Sequence, residues 1–126
     1  MCEVDSEIKT VRDIAKHCHD VLGFHVRVYG DLNAPVQHIA WGQGSGNSLV
    51  ENVASCIGTL SIDCFITGEI KYNPALDLAH MGIPVILLGH DVSEEPFVDL
   101  LLEQTFKAGV PEDIIECRHT INWTTV

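Results

Sequence analysis

The stretches "IDCFITG" (62–68) and "IPVILLG" (83–89) are unbroken apolar runs, each closed by a glycine and followed by a segment of helical periodicity. An extended backbone with apolar side chains on both of its sides cannot leave either face in water. Two such runs, separated by "NPALDLAHMG", therefore demand helices over both faces of a sheet and parallel neighbours joined by crossovers. With 126 residues and 46% hydrophobic content the chain has enough material for one such packed unit.

The rest of the chain extends this reading. Ile8, Val11, Ile14, Ala15, Cys18 and Leu22 recur at helical spacing before Gly23, which predicts an amphipathic helix over 7–22 with Ser6 as its N-cap. "FHVRVYG" (24–30) alternates like a half-buried strand, "DLNAP" supplies a turn, and "VQHIAWG" (36–42) is a second strand expected to pair antiparallel with the first. "GQGSGNSLVENVASCIG" predicts a helix from about Ser45 to Cys56, and "SEEPFVDLLLEQTFKAG" a helix capped by Ser93 and stopped at Gly109. "EDIIECR" (112–118) reads as a weaker last strand. The expected fold is a single α/β domain over 1–126, with a mixed, mainly parallel sheet of about five strands and helices on both faces.

Charge and cysteine usage exclude several functions. Seven Lys and Arg against eighteen Asp and Glu give a net charge of −11, which opposes the phosphate backbone of nucleic acid. No apolar run approaches the length of a bilayer span, and the acidic start "MCEVDSEIKT" is unlike a signal peptide. Cys2, Cys18, Cys56, Cys64 and Cys117 are odd in number and lack C-x-x-C spacing, which suits reduced thiols in the cytoplasm. Trp41 is expected to be a packed aromatic beside the glycine loop that follows it.

Three stretches lie where ligands gather in α/β sheets, beyond the carboxyl ends of the strands. In "GQGSGNS", the backbone amides of Gly44, Ser45 and Gly46 are candidates to receive a small anionic ligand, although the glycines also suit a tight strand-to-helix turn. The loop matches neither G-x-G-x-x-G nor the Walker pattern. In "TGEIKYNPALD", Glu69 follows a strand end and is a candidate catalytic base or orienting group, or else an exposed loop carboxylate. In "GHDVSEEPF", His90 and Glu94 stand four residues apart where a strand turns into a helix. An imidazole and a carboxylate suit zinc, manganese or iron better than calcium. The alternative is that the glutamates only complement the helix dipole.

In this order, "HIAWGQGSGNSLVENVA" and "IDCFITGEIKYNPALDLAHMGIPVILLGHDVSEEPFV" resemble the dinuclear metal-binding family of GTP cyclohydrolase 1 type 2 homologues, also called NGG-one-interacting-factor-three-like proteins. The resemblance runs from about Asp5 to the C-terminus. It implies that His90 and Glu94 are metal ligands, that Gly42, Gly44 and Gly46 form the family's glycine loop, and that Thr67, Gly68 and Glu69 form its T-G-E motif beside the cleft. It further implies metal-dependent hydrolysis of a small phosphorylated or nucleotide-like substrate, and ring-shaped homo-oligomers, often hexamers. Family members are about twice as long, and their first half adds a histidine pair and an aspartate. The chain therefore corresponds to the family's second half, a fragment or separate domain with an incomplete divalent-metal site that is not expected to be catalytic alone. The position of a frequent family histidine is Asn73 here. The competing reading is a non-catalytic binding or oligomer-assembly module.

Overall fold

A computed structural model describes residues 2–3, 7–56 and 60–117. Its strands are β1 (Cys2–Glu3), β2 (Arg27–Tyr29), β3 (His38–Ser45), β4 (Cys64–Glu69) and β5 (Val85–Leu87). Its helices are α1 (Val11–Leu22), α2 (Val50–Ser55), α3 (Tyr72–His80) and α4 (His90–Lys107). The sheet order is β1-β3-β4-β5-β2, and because β1 is only two residues long, four longer strands carry the sheet.

The sheet is mixed, as expected, but not mainly parallel. β3–β4 and β4–β5 are parallel, whereas β1–β3 and β2–β5 are antiparallel. The expected pairing of β2 with β3 is also corrected. β2 lies against β5, with Val28 opposite Ile86. The segment after β2 does not fold back as a hairpin, because it is hydrogen-bonded to the start of α1: Val11 N–H donates to Ala34 O, Arg12 N–H to Leu32 O, and Val36 N–H to Lys9 O. Those bonds carry the chain away from the β2 edge to the β3 side of the sheet.

The two apolar runs behave as their composition dictates. Along β4, Cys64 and Ile66 pack on one face with Val11, Ile14 and Ile86, while Phe65 packs on the other with Val53, Leu78 and Val85. Helix α1 thus covers one face and α2 with α3 the other, as predicted. Burial pushes the Cys64 thiol up to about 12, with smaller contributions from Cys18 and Asp63.

Several boundaries move for identifiable reasons. α1 starts at Val11 because Thr10 and Asp13 cap it reciprocally, each side chain receiving the other's backbone N–H. Ser6 lies outside the described residues. β3 continues through the glycine loop to Ser45, so the next helix begins late, as a 3-10 turn at Asn47–Leu49 followed by α2. Ser93 is not a cap: α4 starts at His90 after Gly89 (φ 98°), which places Ser93 in the first turn and Pro96 inside the helix. The weak last strand is a 3-10 turn at Glu112–Ile114, with Ile114 70% exposed and no strand over 112–117. Trp41 is 45% exposed rather than packed, since β3 buries Ala40, Gly42 and Gly44 and turns the intervening residues outward.

Candidate metal centre

Because β3, β4 and β5 run parallel, their carboxyl ends share one edge of the sheet, and the three stretches singled out in the sequence converge there. Ser45 is in register with Glu69 at the ends of β3 and β4, after an irregularity that begins at Gly42. Leu88 N–H donates to Thr67 O and Gly89 N–H to Gly68 O, which extends the β4–β5 pairing up to the residue before α4.

Backbone is packed against backbone at this edge, and that requires residues without side chains. A Cβ at Gly68 would strike Ser93 Oγ and come within 3.0 Å of the Gly89 carbonyl oxygen. Gly44 adopts a left-handed φ of 56°, and a Cβ there would strike Glu94 Oε1 and come within 3.1 Å of His90 Nε2. The junction is fastened by Ser93, whose hydroxyl accepts from Gly44 N–H at 3.0 Å and donates to the His90 carbonyl at 2.8 Å. The buried Thr67 hydroxyl donates to Gly44 O at 3.4 Å. Local spacing suggests only a capping role for Ser93; the Gly44 N–H that its hydroxyl accepts from lies 49 residues away, beyond any local signal.

Over this base stand three half-exposed side chains. Glu69 Oε1 is 2.9 Å from His90 Nδ1, and Glu94 Oε1 is 3.4 Å from His90 Nε2. His90 and Glu94 are one helical turn apart on α4, so they share a face. The hydrogen bond to Glu69 raises the His90 pKa above its usual value; desolvation opposes it, and the Glu94 charge adds to the rise.

The structure therefore brings Glu69, His90, Glu94 and Gly44 together. The other loop candidates sit nearby but are differently engaged. Gly46 N–H donates to the Glu69 carbonyl and Gly44 N–H to Ser93, so two of the three amides proposed for an anion already have acceptors. Ser45 is exposed, and its hydroxyl accepts from Asn47 Nδ2 at 2.9 Å. An anion at this loop would have to be met by Ser45 rather than by those two amides.

The donor chemistry fits a divalent ion at one place. Nε2 of His90 and Oε1 of Glu94 face each other above Gly44, whose missing side chain leaves them the room to do so. Among the described residues no set of three or more His, Cys, Asp or Glu side chains is arranged to hold one ion; His90 and Glu94 offer two donors, fewer than the usual four of a zinc site.

Comparison with known proteins places the chain in a family. The family model for Duf34/NIF3 (NGG1p interacting factor 3) matches residues 1–121. A GTP cyclohydrolase 1 type 2 homolog of Listeria innocua is 39% identical over 70 residues, covering 56% of this chain and 18% of the relative. NIF3-like protein 1 of Rattus norvegicus is 30% identical over 107 residues, covering 82% of this chain and 27% of the relative. Among solved structures, the Staphylococcus aureus protein SA1388 superposes with a TM-score of 0.66 at 28% identity, covering 86% of this chain and 36% of that one. The chain spans well under half the length of each of these proteins. It belongs to the Duf34/NIF3 family.

Proposed function

We propose that this chain supplies part of a divalent-metal centre, taking zinc, manganese or iron, in a protein that hydrolyses a small phosphorylated or nucleotide-like substrate. The observation that carries the reading is the convergence of His90 Nε2 and Glu94 Oε1 above Gly44. These two side chains would hold the ion. A bound ion would supply Lewis-acid polarisation of a substrate oxygen and would acidify a water molecule. Glu69 stands beside the pair as base or orienting group, and Ser45 lies at the sheet edge where an anionic part of the substrate would approach. Two protein donors hold an ion weakly, so the remaining ligands must come from elsewhere, and this chain alone is not expected to turn over substrate.

A specific observation favours a second reading, an oligomer-assembly module. Phe97, Leu100, Leu101 and Phe106 of α4 are each about half exposed, an apolar surface suited to contact with further copies in a homo-oligomer. The thiols of Cys18, Cys64 and Cys117, outside any disulfide, support a cytoplasmic setting. No described helix is long and apolar enough to cross a membrane.

Zinc or manganese titration of the chain and of its His90→Ala and Glu94→Gln variants tests the metal reading. Weak binding that falls tenfold or more in either variant is expected. Sub-micromolar affinity unchanged by His90→Ala would overturn it. Metal-dependent turnover of nucleoside phosphates by a longer family protein, lost on substituting the histidine or glutamate of the same motif, would favour the hydrolase. Metal binding without turnover, together with self-association abolished by Leu101→Glu, would favour the assembly module.

A further inference from the structure

The imidazole of His90 is bracketed by carboxylates, one on each ring nitrogen, and the two contacts are unequal: 2.9 Å from Nδ1 to Glu69, 3.4 Å from Nε2 to Glu94. The two nitrogens of one ring point in different directions and cannot both reach a single ion. An ion shared with Glu94 must take Nε2. Nδ1 is then left to carry the proton, and the nearest acceptor is Glu69 Oε1.

The backbone builds this pairing in. Glu69 is the last residue of β4; its carbonyl accepts from Gly46 N–H at 2.8 Å, and its Cα is in register with Ser45. His90 is the first residue of α4, tied down by the Gly89 N–H to Gly68 O bond at 2.9 Å and by Ser93 Oγ donating to its carbonyl. The two residues are thus anchored through adjacent, hydrogen-bonded positions, Gly68 and Gly89. The carboxylate meets the ring without either backbone having to move.

We propose that Glu69 is a positioning residue rather than the general base: it holds His90 as the Nδ1–H tautomer and fixes the ring, so that the Nε2 lone pair faces the cation site beside Glu94. The proposal rests on the metal reading of His90 and Glu94. In metal proteins a carboxylate behind a ligating histidine fixes its tautomer and makes the ring a better donor, and its loss commonly weakens metal affinity by about 10–100-fold.

The test uses the metal-free protein first. Nitrogen NMR of the imidazole, recorded at a pH above the His90 titration, reads the tautomer directly in the wild type, Glu69→Ala and Glu69→Gln. The Glu69 side chain is 57% exposed, so these variants are expected to fold. The wild type should carry its proton on Nδ1. Glu69→Ala leaves Glu94 as the only carboxylate beside the ring and should move the proton to Nε2, whereas Glu69→Gln retains an acceptor oxygen and should largely keep it on Nδ1. Zinc titration should then rank the affinities wild type, Glu69→Gln, Glu69→Ala, the last about 10–100-fold weaker than the first. A tautomer that Glu69→Ala leaves unchanged overturns the proposal even if zinc binds. A tautomer that shifts as expected, with no His90-dependent zinc binding, overturns the metal reading and the metal-directed half of the proposal with it.

Discussion

Strands β4 and β5 are built differently along their length. At Cys64–Ile66 and Val85–Ile86 the side chains are buried on both faces, and the contacts that matter are apolar. Further on, at Gly68 near the end of β4 and Gly89 just beyond β5, the chain has no side chains, and what packs is backbone against backbone, fastened by the Ser93 and Thr67 hydroxyls. The first region stabilises the fold without presenting any chemistry. The second contributes less to stability but sets the positions of Glu69, His90 and Glu94 through their main chains.

If that division is right, substitutions in the two regions should separate stability from ligand binding. The largest effect is expected from Phe65→Ala, which empties a fully buried ring site between β4 and the α2–α3 layer. A loss of about 3–5 kcal/mol in urea unfolding is expected, and any variant that still folds should bind zinc like the wild type. A smaller change in stability, about 1–3 kcal/mol, is expected for Ser93→Ala, because the buried Gly44 N–H loses its acceptor. Here zinc affinity should fall as well, since the Gly44 strand end is no longer tied to α4. Ser93→Ala that weakens the fold while leaving zinc binding intact would break the comparison.

Gly44→Ala sharpens it. The left-handed backbone disfavours alanine by about 1–2 kcal/mol, and the added methyl would push directly against the Glu94 carboxylate. Metal binding should suffer more than stability, and the opposite ranking in paired unfolding and titration experiments would contradict the assignment of Gly44 to the site.

The smallest effect is the pH dependence carried by His90. Its folded pKa is raised, first by the Glu69 hydrogen bond, so the fold prefers the protonated ring. The resulting stabilisation is complete below the unfolded imidazole value of about 6.5 and disappears as pH rises through the higher folded value. The difference in melting temperature between the wild type and His90→Gln should therefore shrink from pH 6 upward. A difference that grows over that range would reverse the sign and contradict the pairing. Because the three side chains are about half exposed, the effect should also decline with added salt.

Much of the strand interior was legible in the sequence, because an unbroken apolar run has only one way to be covered. The approach of His90 to Glu94 was legible from their spacing where a strand turns into a helix, although both stand on α4 rather than on either side of a cap at Ser93. Glu69 could be placed at a strand end but not against His90. That contact spans 21 residues and depends on β4 and β5 being parallel neighbours in a particular register. The partner of β2 was hidden for a related reason. "DLNAP" has turn chemistry, and nothing local reveals that its carbonyls are taken by the first amides of α1. Ser93 carries the same lesson in a single residue. Serine ahead of acidic residues suits a helix cap, but Gly89 with φ 98° caps the helix four residues earlier and frees the hydroxyl to hold Gly44.

The central claim is that His90 Nε2 and Glu94 Oε1 form one side of a cation site while Nδ1 stays with Glu69. Anomalous diffraction from zinc-soaked crystals tests this most directly. The account predicts a peak about 2.0–2.2 Å from both Nε2 and Oε1, with Glu69 still on Nδ1. A zinc peak between Nδ1 and Glu69, or zinc bound only at sites remote from His90, would contradict it.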